Sequence, residues 1–176
     1  MSNNQQYITH KLEGLNSLCS YLKDNKSVAR QLDELLRYFP MFDIERGGVA
    51  YSFQVCNGFS KSWEKIMYTV IIIHSDQVIG YGQLLLRKSF AEIFNVVVHP
   101  QYRKQGIGKE IIVELEDYAV THNKFEFSLW CENPIKLFYT QFGYAHDGKE
   151  QIVEEVQLYH MVKQIPSFSK SWGNPP

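Results

Sequence analysis

The sequence lacks long apolar runs and a basic excess, and each absence excludes a class of protein. Its longest apolar runs have about five residues, whereas a membrane-spanning helix needs roughly 20. Eighteen basic residues nearly balance nineteen acidic ones, which leaves a formal net charge of -1. This balance gives no indication of a nucleic-acid or membrane partner, so any anion-binding site must be local.

Cysteine is also scarce, and its spacing carries no metal motif. The three cysteines, Cys19, Cys56 and Cys131, lie far apart, and no CxxC or HExxH motif occurs. This pattern favours reduced thiols over a disulfide framework or a zinc site, and we expect no metal. The N-terminal stretch MSNNQQYITHKLEG has no apolar segment typical of a signal peptide, so we expect a cytoplasmic protein. The sequence is compatible with either a monomer or a homodimer.

The chain does contain enough apolar residues for one well-packed domain. Of its 176 residues, 44% are hydrophobic and 14% aromatic, which suits a single domain over 1–176. Periodicity predicts strands at 7–10, 49–56, 65–73, 77–86, 91–98, 125–131 and 155–162, and helices at 15–22, 28–39, 107–120 and 134–142. Residues 1–46 would be mostly helical, and 166–176 would form a tail. This order predicts an α/β (α+β) fold with helices on both faces of one mixed sheet.

A glycine-rich stretch with a basic cluster joins one predicted strand to a helix, in VVVHPQYRKQGIGKEIIVEL at 96–115. The first N–H groups of a helix have no partner within it, and the helix dipole attracts anions there. Gly106 and Gly108 would let a phosphate approach the backbone, while Arg103, Lys104 and Lys109 would add charge-assisted bonds. The clustered bases favour a pyrophosphate site over a tight turn that merely needs glycine.

Two other nucleotide motifs fit the sequence less well. The dinucleotide-binding fingerprint requires a third glycine where Ile111 stands. A GxxxxGK sequence occurs at 143–149, but Glu150 follows it in place of the serine or threonine that binds magnesium. We interpret this second match as coincidence.

Two motifs resemble the signatures of the GNAT superfamily of N-acyltransferases. VVVHPQYRKQGIGKEII is similar to the coenzyme A loop of that family, [Q/R]-x-x-G-x-[G/A]. CENPIKLFYTQFGY is similar to the family's second signature, a strand, an asparagine and a helix ending in Y-x-x-x-G-[FY]. The matching positions are Arg103, Gly106, Gly108, Asn133, Tyr139, Gly143 and Tyr144. The resemblance spans roughly 65–163.

This resemblance implies a mostly antiparallel sheet whose two central parallel strands, here 91–98 and 125–131, splay apart. The pantetheine arm of acetyl-CoA would insert beside the first strand, and the diphosphate would lie on the glycine loop. The coenzyme-binding residues that it implies are Val96, Val97, Val98, Arg103, Lys104, Gln105, Gly106, Ile107, Gly108, Lys109, Asn133 and Tyr139.

The resemblance also indicates candidates for proton transfer. An amine with a pKa of about 10.4 must lose a proton before it attacks a thioester. Glu92 holds the place of the catalytic glutamate in related histone acetyltransferases, although an edge-of-sheet carboxylate is the structural alternative. Tyr139 is the candidate acid that protonates the leaving thiolate. It also lies on an apolar helical stripe with Ile135, Phe138 and Phe142, so a core role is the alternative.

Other chemically notable residues receive structural interpretations. We expect His99 to cap a turn, His160 to be structural and Cys131 to be a core residue rather than an acyl-enzyme nucleophile. The aromatic residues that could line an acceptor site are Tyr51, Phe53, Phe59 and Trp63. Ordinary packing explains these four aromatic residues equally well.

The sequence therefore predicts an enzyme that transfers an acetyl group from acetyl-CoA to a primary amine by direct attack in a ternary complex. The acceptor is a small molecule or a protein. A non-catalytic acyl-CoA sensor and an enzyme that acylates a non-amine are the alternatives. The presence of both Glu92 and Tyr139 favours the enzyme over the sensor.

Overall fold

The computed structural model describes residues 7–36, 66–153 and 155–166. Its helices and strands are β1 (Ile8–Glu13), α1 (Gly14–Asp24), α2 (Lys26–Leu36), β2 (Met67–His74), β3 (Gln77–Leu86), β4 (Ala91–Val98), α3 (Ile107–Thr121), β5 (Glu126–Glu132), α4 (Lys136–Thr140), β6 (Ala145–Val153) and β7 (Val156–Gln164). Short 3-10 turns, Pro100–Tyr102 and Asn133–Ile135, precede α3 and α4. No helix in these ranges is both long and apolar enough to cross a membrane.

The described strands form one seven-stranded sheet in the order β1-β2-β3-β4-β5-β7-β6. Every neighbouring pair is antiparallel except β4 and β5, which are parallel. The predicted α/β fold with two central parallel strands is therefore confirmed. The predicted strand at 49–56 lies outside the described residues.

The sheet separates two hydrophobic clusters, one on each face. Side chains alternate along a strand, so Tyr68 and Val70 of β2 pack towards α3, while Met67 and Ile71 pack towards α1 and α2. Leu18 of α1 is one of the fully buried anchors of the second cluster. The prediction of helices on both faces is correct.

Two glycines of β3 let α3 lie close to the sheet. A Cβ at Gly82 would come within 2.3 Å of Ile111 Cγ2, and one at Gly80 within 2.9 Å of Ile107 Cγ2. Any larger residue would push the helix away, because backbone and helix side chains already touch. This close approach fixes the start of α3 beside the end of β4.

A buried ionic group ties α3 to β7 and to the turn after α4. Glu116 accepts hydrogen bonds from Tyr144 Oη at 2.8 Å and from Lys163 Nζ at 2.6 Å. Burial, followed by the nearby Glu116 carboxylate, raises the pKa of Tyr144, so its hydroxyl remains a donor. Tyr144, a position of the second signature, thus has a structural role on the α3 face of the sheet.

Strand β6 was not predicted from the sequence. Residues 145–153 form an edge strand that pairs with β7, and eight of its nine residues are exposed. The GxxxxGK match at 143–149 runs into this strand instead of opening a helix, which agrees with its interpretation as coincidence. The predicted helix at 134–142 is shorter than expected, because its first turn is the 3-10 turn and α4 ends at Thr140.

Candidate active site

The two parallel strands pair over only two residues and then separate. Ala91 lies opposite Phe127 and Glu92 opposite Ser128, and the pairing ends there. The gap forms a cavity of about 220 Å³. Its lining residues are Glu92, Ile93, Phe94, Asn95, Val96, Leu129, Trp130, Cys131, Glu132, Ile135, Tyr139, Gln151 and Leu158. The splayed strands that the resemblance implied are therefore present.

A β-bulge in β4 lies at the point where the strands separate. The register between β3 and β4 shifts there, and Asn95 adopts a left-handed conformation with φ of 53°. Its Nδ2 donates to Oε1 of the buried Gln83 at 2.9 Å, which holds the bulge against β3. Bulges bend a strand and re-aim its groups. The edge of β4 beyond Glu92 is thereby turned towards the cavity without a β5 partner.

Residues from both faces of the sheet line the cavity, and each face contributes a different chemistry. Leu129 and Cys131 belong to the cluster beneath α3, as does Tyr139. Because side chains alternate, Trp130 and Glu132 lie on the opposite face of β5, as Glu92 does on β4. The α3 side of the cavity is thus apolar, whereas the other side carries carboxylates and an indole.

Glu92 is held at the cavity edge by an ion pair. Arg87 Nε donates to Glu92 Oε2 at 2.8 Å, and a second guanidinium nitrogen reaches the same oxygen. The Glu92 side chain is 28% exposed, so water and a ligand can reach it. The arginine orients the carboxylate, and both of its contacts go to one carboxylate oxygen.

Tyr139 is both a core residue and a cavity-lining residue. Its ring is 6% exposed and makes edge contacts with Phe138 at 5.1 Å and Tyr144 at 6.0 Å between ring centroids. Burial, with a smaller contribution from Cys131, raises the pKa of Tyr139, so the hydroxyl is protonated at neutral pH. The two roles weighed from the sequence are compatible, because the same side chain packs and faces the cavity.

The glycine loop presents free backbone donors at the start of α3. Gly106 is the N-cap of α3 with φ of +91°, and a Cβ built there meets nothing within 4 Å. The N–H groups of Gly106, Ile107 and Gly108 make no hydrogen bond to an acceptor in the described ranges. Glycine at position 106 therefore permits the left-handed turn and leaves the backbone open to a ligand.

Side chains of the loop are arranged around these donors. Arg103 Nε donates to the carbonyl of Val98 at 3.0 Å, and Gln105 Nε2 donates to the carbonyl of Gln101 at 2.9 Å. Lys104 and Lys109 are exposed beside them. The arrangement concentrates positive charge next to the end of β4.

Glycine at position 108 is explained by packing between helices, whereas the sequence suggested that it lets a phosphate approach the backbone. A Cβ there would come within 2.9 Å of Phe138 Cζ and 3.7 Å of a Val98 methyl. Glycine at 108 thus allows α4 to pack against the first turn of α3. A phosphate contact is not needed to explain it.

The remaining coenzyme candidates are divided between the strand and the surface. Val96 lines the cavity, Val97 is buried towards α1 and α2, and Val98 packs at the edge of the α3 cluster. Ile107, the first residue of α3, is buried between that helix and the sheet. Asn133 is exposed at the start of its 3-10 turn and does not line the cavity, so the structure does not bring it to the other candidates.

The histidines and the cysteine take structural positions. His99 caps the 3-10 turn by accepting from the N–H of Gln101 at 3.4 Å. His160 bonds to Asp147 at 2.9 Å and packs on the Trp130 ring at 4.7 Å. Burial raises the pKa of the Cys131 thiol to about 11, which leaves little thiolate for nucleophilic attack. The proposed acceptor aromatics Tyr51, Phe53, Phe59 and Trp63 lie outside the described residues.

Several cavity residues were not identified from the sequence. Phe94, Trp130, Glu132 and Gln151 all line the gap. The alternation of β5 could have placed Trp130 and Glu132 on one face. Their position beside Glu92 depends on the β4–β5 register, which a single sequence does not reveal.

A mixed sheet with a cavity between two splayed parallel strands, next to an open glycine-rich helix start, defines an acyltransferase of the coenzyme A-dependent kind. The Acetyltransferase (GNAT) domain family matches residues 49–165, so the chain belongs to the GNAT family and is an N-acetyltransferase. Among the described residues, no group of three or more His, Cys, Asp or Glu side chains could hold a metal ion.

Individual relatives agree with this assignment. Glucosamine 6-phosphate N-acetyltransferase of Schizosaccharomyces pombe is 27% identical over 99 residues, which cover 51% of this chain and 89% of that protein. An aminoglycoside 6'-N-acetyltransferase complexed with coenzyme A has a TM-score of 0.67 at 17% identity, covering 90% of this chain and 98% of that one. Escherichia coli ElaA has a TM-score of 0.64 at 14% identity and covers 90% of this chain and 100% of its own. The two structural likenesses show the shared fold.

Proposed function

We propose that this protein transfers an acetyl group from acetyl-CoA to a primary amine by direct attack in a ternary complex. The observation that carries the proposal is the meeting of Glu92 and Tyr139 at one cavity between the splayed strands. The relative from Schizosaccharomyces pombe and the structural neighbour with coenzyme A are both N-acetyltransferases by name, which supports an amine acceptor.

The glycine loop and the edge of β4 suit acetyl-CoA. The open N–H groups at Gly106 and Gly108 and the positive end of α3 match a diphosphate. The edge of β4 that faces β5 is not paired with it beyond Glu92, so its backbone groups can pair with amides in an extended arm, as an added strand would. The coenzyme supplies the activated acetyl thioester, and the gap would hold that end.

Glu92 is proposed to accept the proton that the amine loses. A primary amine near pKa 10.4 is almost wholly protonated at neutral pH and has no free electron pair for attack. Glu92 stands at the polar side of the gap with one oxygen oriented by Arg87. Its carboxylate can take the proton directly or through one water.

Tyr139 is proposed to donate a proton to the departing sulfur. After the neutral amine attacks, the new C–N bond forms, its nitrogen loses a second proton to solvent, and the C–S bond breaks with its electron pair going to sulfur. The coenzyme thiol has a pKa near that of cysteine, about 8.5, and an apolar cavity solvates its thiolate poorly. The protonated hydroxyl of Tyr139 lies on that apolar side, and solvent would return its proton after each turnover.

Release of free thiol from acetyl-CoA in the presence of different amines tests this proposal. We expect release that depends on an added amine and equals the acetylated amine counted by mass spectrometry. Binding of acetyl-CoA without thiol release in the presence of any amine would indicate the non-catalytic acyl-CoA sensor. Release that equals an acetylated alcohol or thiol would indicate a non-amine acceptor.

A further prediction concerns the coenzyme loop. Gly106→Ala is expected to weaken acetyl-CoA binding about 10-fold or more, because the methyl group would stand where a phosphate meets the backbone, a change of about 1.4 kcal/mol. Isothermal calorimetry measures the affinity. The left-handed backbone should also cost roughly 1 kcal/mol of stability.

Gly148→Ala is the matched control for this variant. Gly148 has φ of +88° and open space around its Cβ position, as Gly106 does, but it lies in β6. Both variants should lose similar stability, and only Gly106→Ala should lose affinity. Equal acetyl-CoA affinities in the two variants would show that the diphosphate does not bind at this loop.

A further inference from the structure

The polar side of the cavity points to a particular class of acceptor. We infer that the acceptor carries a second positive charge, which Glu132 and Trp130 bind while the first amine reacts at Glu92. This inference rests on the proposed acetyl transfer to an amine and specifies which amine.

The charged side chains that line the cavity are acidic. Two carboxylates, Glu92 and Glu132, line the gap, and no lysine or arginine lines it within the described part of the chain. Arg87 already neutralises Glu92. The half-buried Glu132 side chain makes no cap hydrogen bond to its 3-10 turn and no ion pair to a described residue. A partly desolvated carboxylate without a partner is stabilised by a ligand cation.

A cation from the neighbouring helix does not fill this role. Lys136 of α4 places Nζ 3.9 Å from the centroid of the Tyr159 ring. Tyr159 pairs with Cys131, and paired side chains share a face, so this contact lies on the α3 side of the sheet. Glu132 faces the other side by the alternation of β5.

An aromatic ring next to Glu132 adds a second feature of a cation site. Trp130 and Glu132 are two residues apart on one strand, so their Cα atoms are roughly 6.6 Å apart on the same face. The Trp130 ring packs against His160 and also lines the cavity. Indole is the aromatic ring that attracts ammonium groups most strongly. A carboxylate beside an indole is suited to an alkylammonium.

The same lining disfavours an anionic acceptor. A sugar phosphate, the substrate class named for the Schizosaccharomyces pombe relative, would bring its charge next to Glu132, which no described cation neutralises. In the described ranges, the cavity offers no unpaired cation in return. A diamine instead leaves one neutral nitrogen for reaction at Glu92 and one ammonium at Glu132.

The test compares an aliphatic diamine with the monoamine of the same chain length, using kcat/KM from thiol release. The wild-type protein should prefer the diamine. Glu132→Gln should lower kcat/KM for the diamine about 10-fold or more and change that for the monoamine less than about 2-fold. Glu126→Gln is the matched control, because Glu126 is an exposed carboxylate on the same strand and face but outside the cavity.

Different results separate this inference from the proposed function. Equal use of both amines, or equal losses in the Glu132→Gln and Glu126→Gln variants, would overturn the second-charge site and leave acetyl transfer intact. Absence of turnover with every amine would overturn the proposed function. Calorimetric titration of the diamine into the protein with coenzyme A then tests the inference separately. Diamine binding that is lost in Glu132→Gln but kept in Glu126→Gln supports the inference. Unchanged diamine binding in Glu132→Gln refutes it.

Discussion

Replacing Glu92 with glutamine is expected to lower turnover about 10²-fold or more at pH 7, because the amide cannot accept the proton that the acceptor ammonium must lose before it attacks. Affinity for acetyl-CoA should not change, since Glu92 lies on the polar side of the gap, opposite the apolar side where we propose that the coenzyme sulfur binds. Stability should change by less than about 1 kcal/mol, because the ion pair with Arg87 is partly exposed.

The pH profile distinguishes a proton acceptor from a residue that only shapes the cavity. As pH rises towards the pKa of the amine, more of it arrives neutral and needs no base. The deficit of Glu92→Gln should therefore shrink at high pH. A deficit that is constant with pH would indicate a positioning role, and normal turnover at pH 7 would place the base elsewhere.

Replacing Tyr139 with phenylalanine is expected to lower turnover about 10- to 10³-fold. The hydrogen bond to sulfur strengthens as the thiolate develops, so it acts on the transition state more than on the bound substrate. Phenylalanine keeps the ring that contacts Phe138 and Tyr144, so the melting temperature and acetyl-CoA affinity should barely change. Steady-state kinetics and thermal unfolding of this single variant measure both effects.

Tyr144→Phe provides the opposite pattern as a control. Its hydroxyl bonds to buried Glu116 on the α3 face and does not line the cavity. Removing it should cost about 1–3 kcal/mol of stability, because a buried acceptor loses a partner. Turnover should remain near that of the wild type. Normal turnover in Tyr139→Phe would reduce Tyr139 to a packing residue.

Strands with strong apolar patterns could be predicted from the sequence, and β6 could not. The core strands β2, β3 and β4 are rich in buried valine, isoleucine and leucine, so their apolar runs and the flanking turns locate them. The sequence AHDGKEQIV of β6 is almost entirely exposed, and its conformation depends on pairing with β7. Because β6 is an exposed edge strand, it lacks the apolar pattern from which a strand is predicted, although β7 follows it directly.

The individual motifs of the site could be predicted from the sequence, whereas the contacts that bring them together could not. The glycine loop and Tyr139 were identifiable because helix starts and family signatures are local. The bulge at Asn95 depends on a hydrogen bond to Gln83 across the sheet, and the reason for Gly108 depends on Phe138 of another helix. These contacts join distant segments, so single-sequence patterns do not contain them.

The most direct test of the central claim, that acetyl transfer takes place in the gap between β4 and β5, is a crystal structure of the protein with acetyl-CoA. The thioester should lie in the gap, with its sulfur within hydrogen-bond distance of Tyr139 Oη. The diphosphate should contact the N–H groups at the start of α3, and Glu92 should face the acetyl group from the other side of the sheet. Acetyl-CoA bound with its thioester outside the gap, or with Tyr139 turned away from sulfur, would contradict the claim.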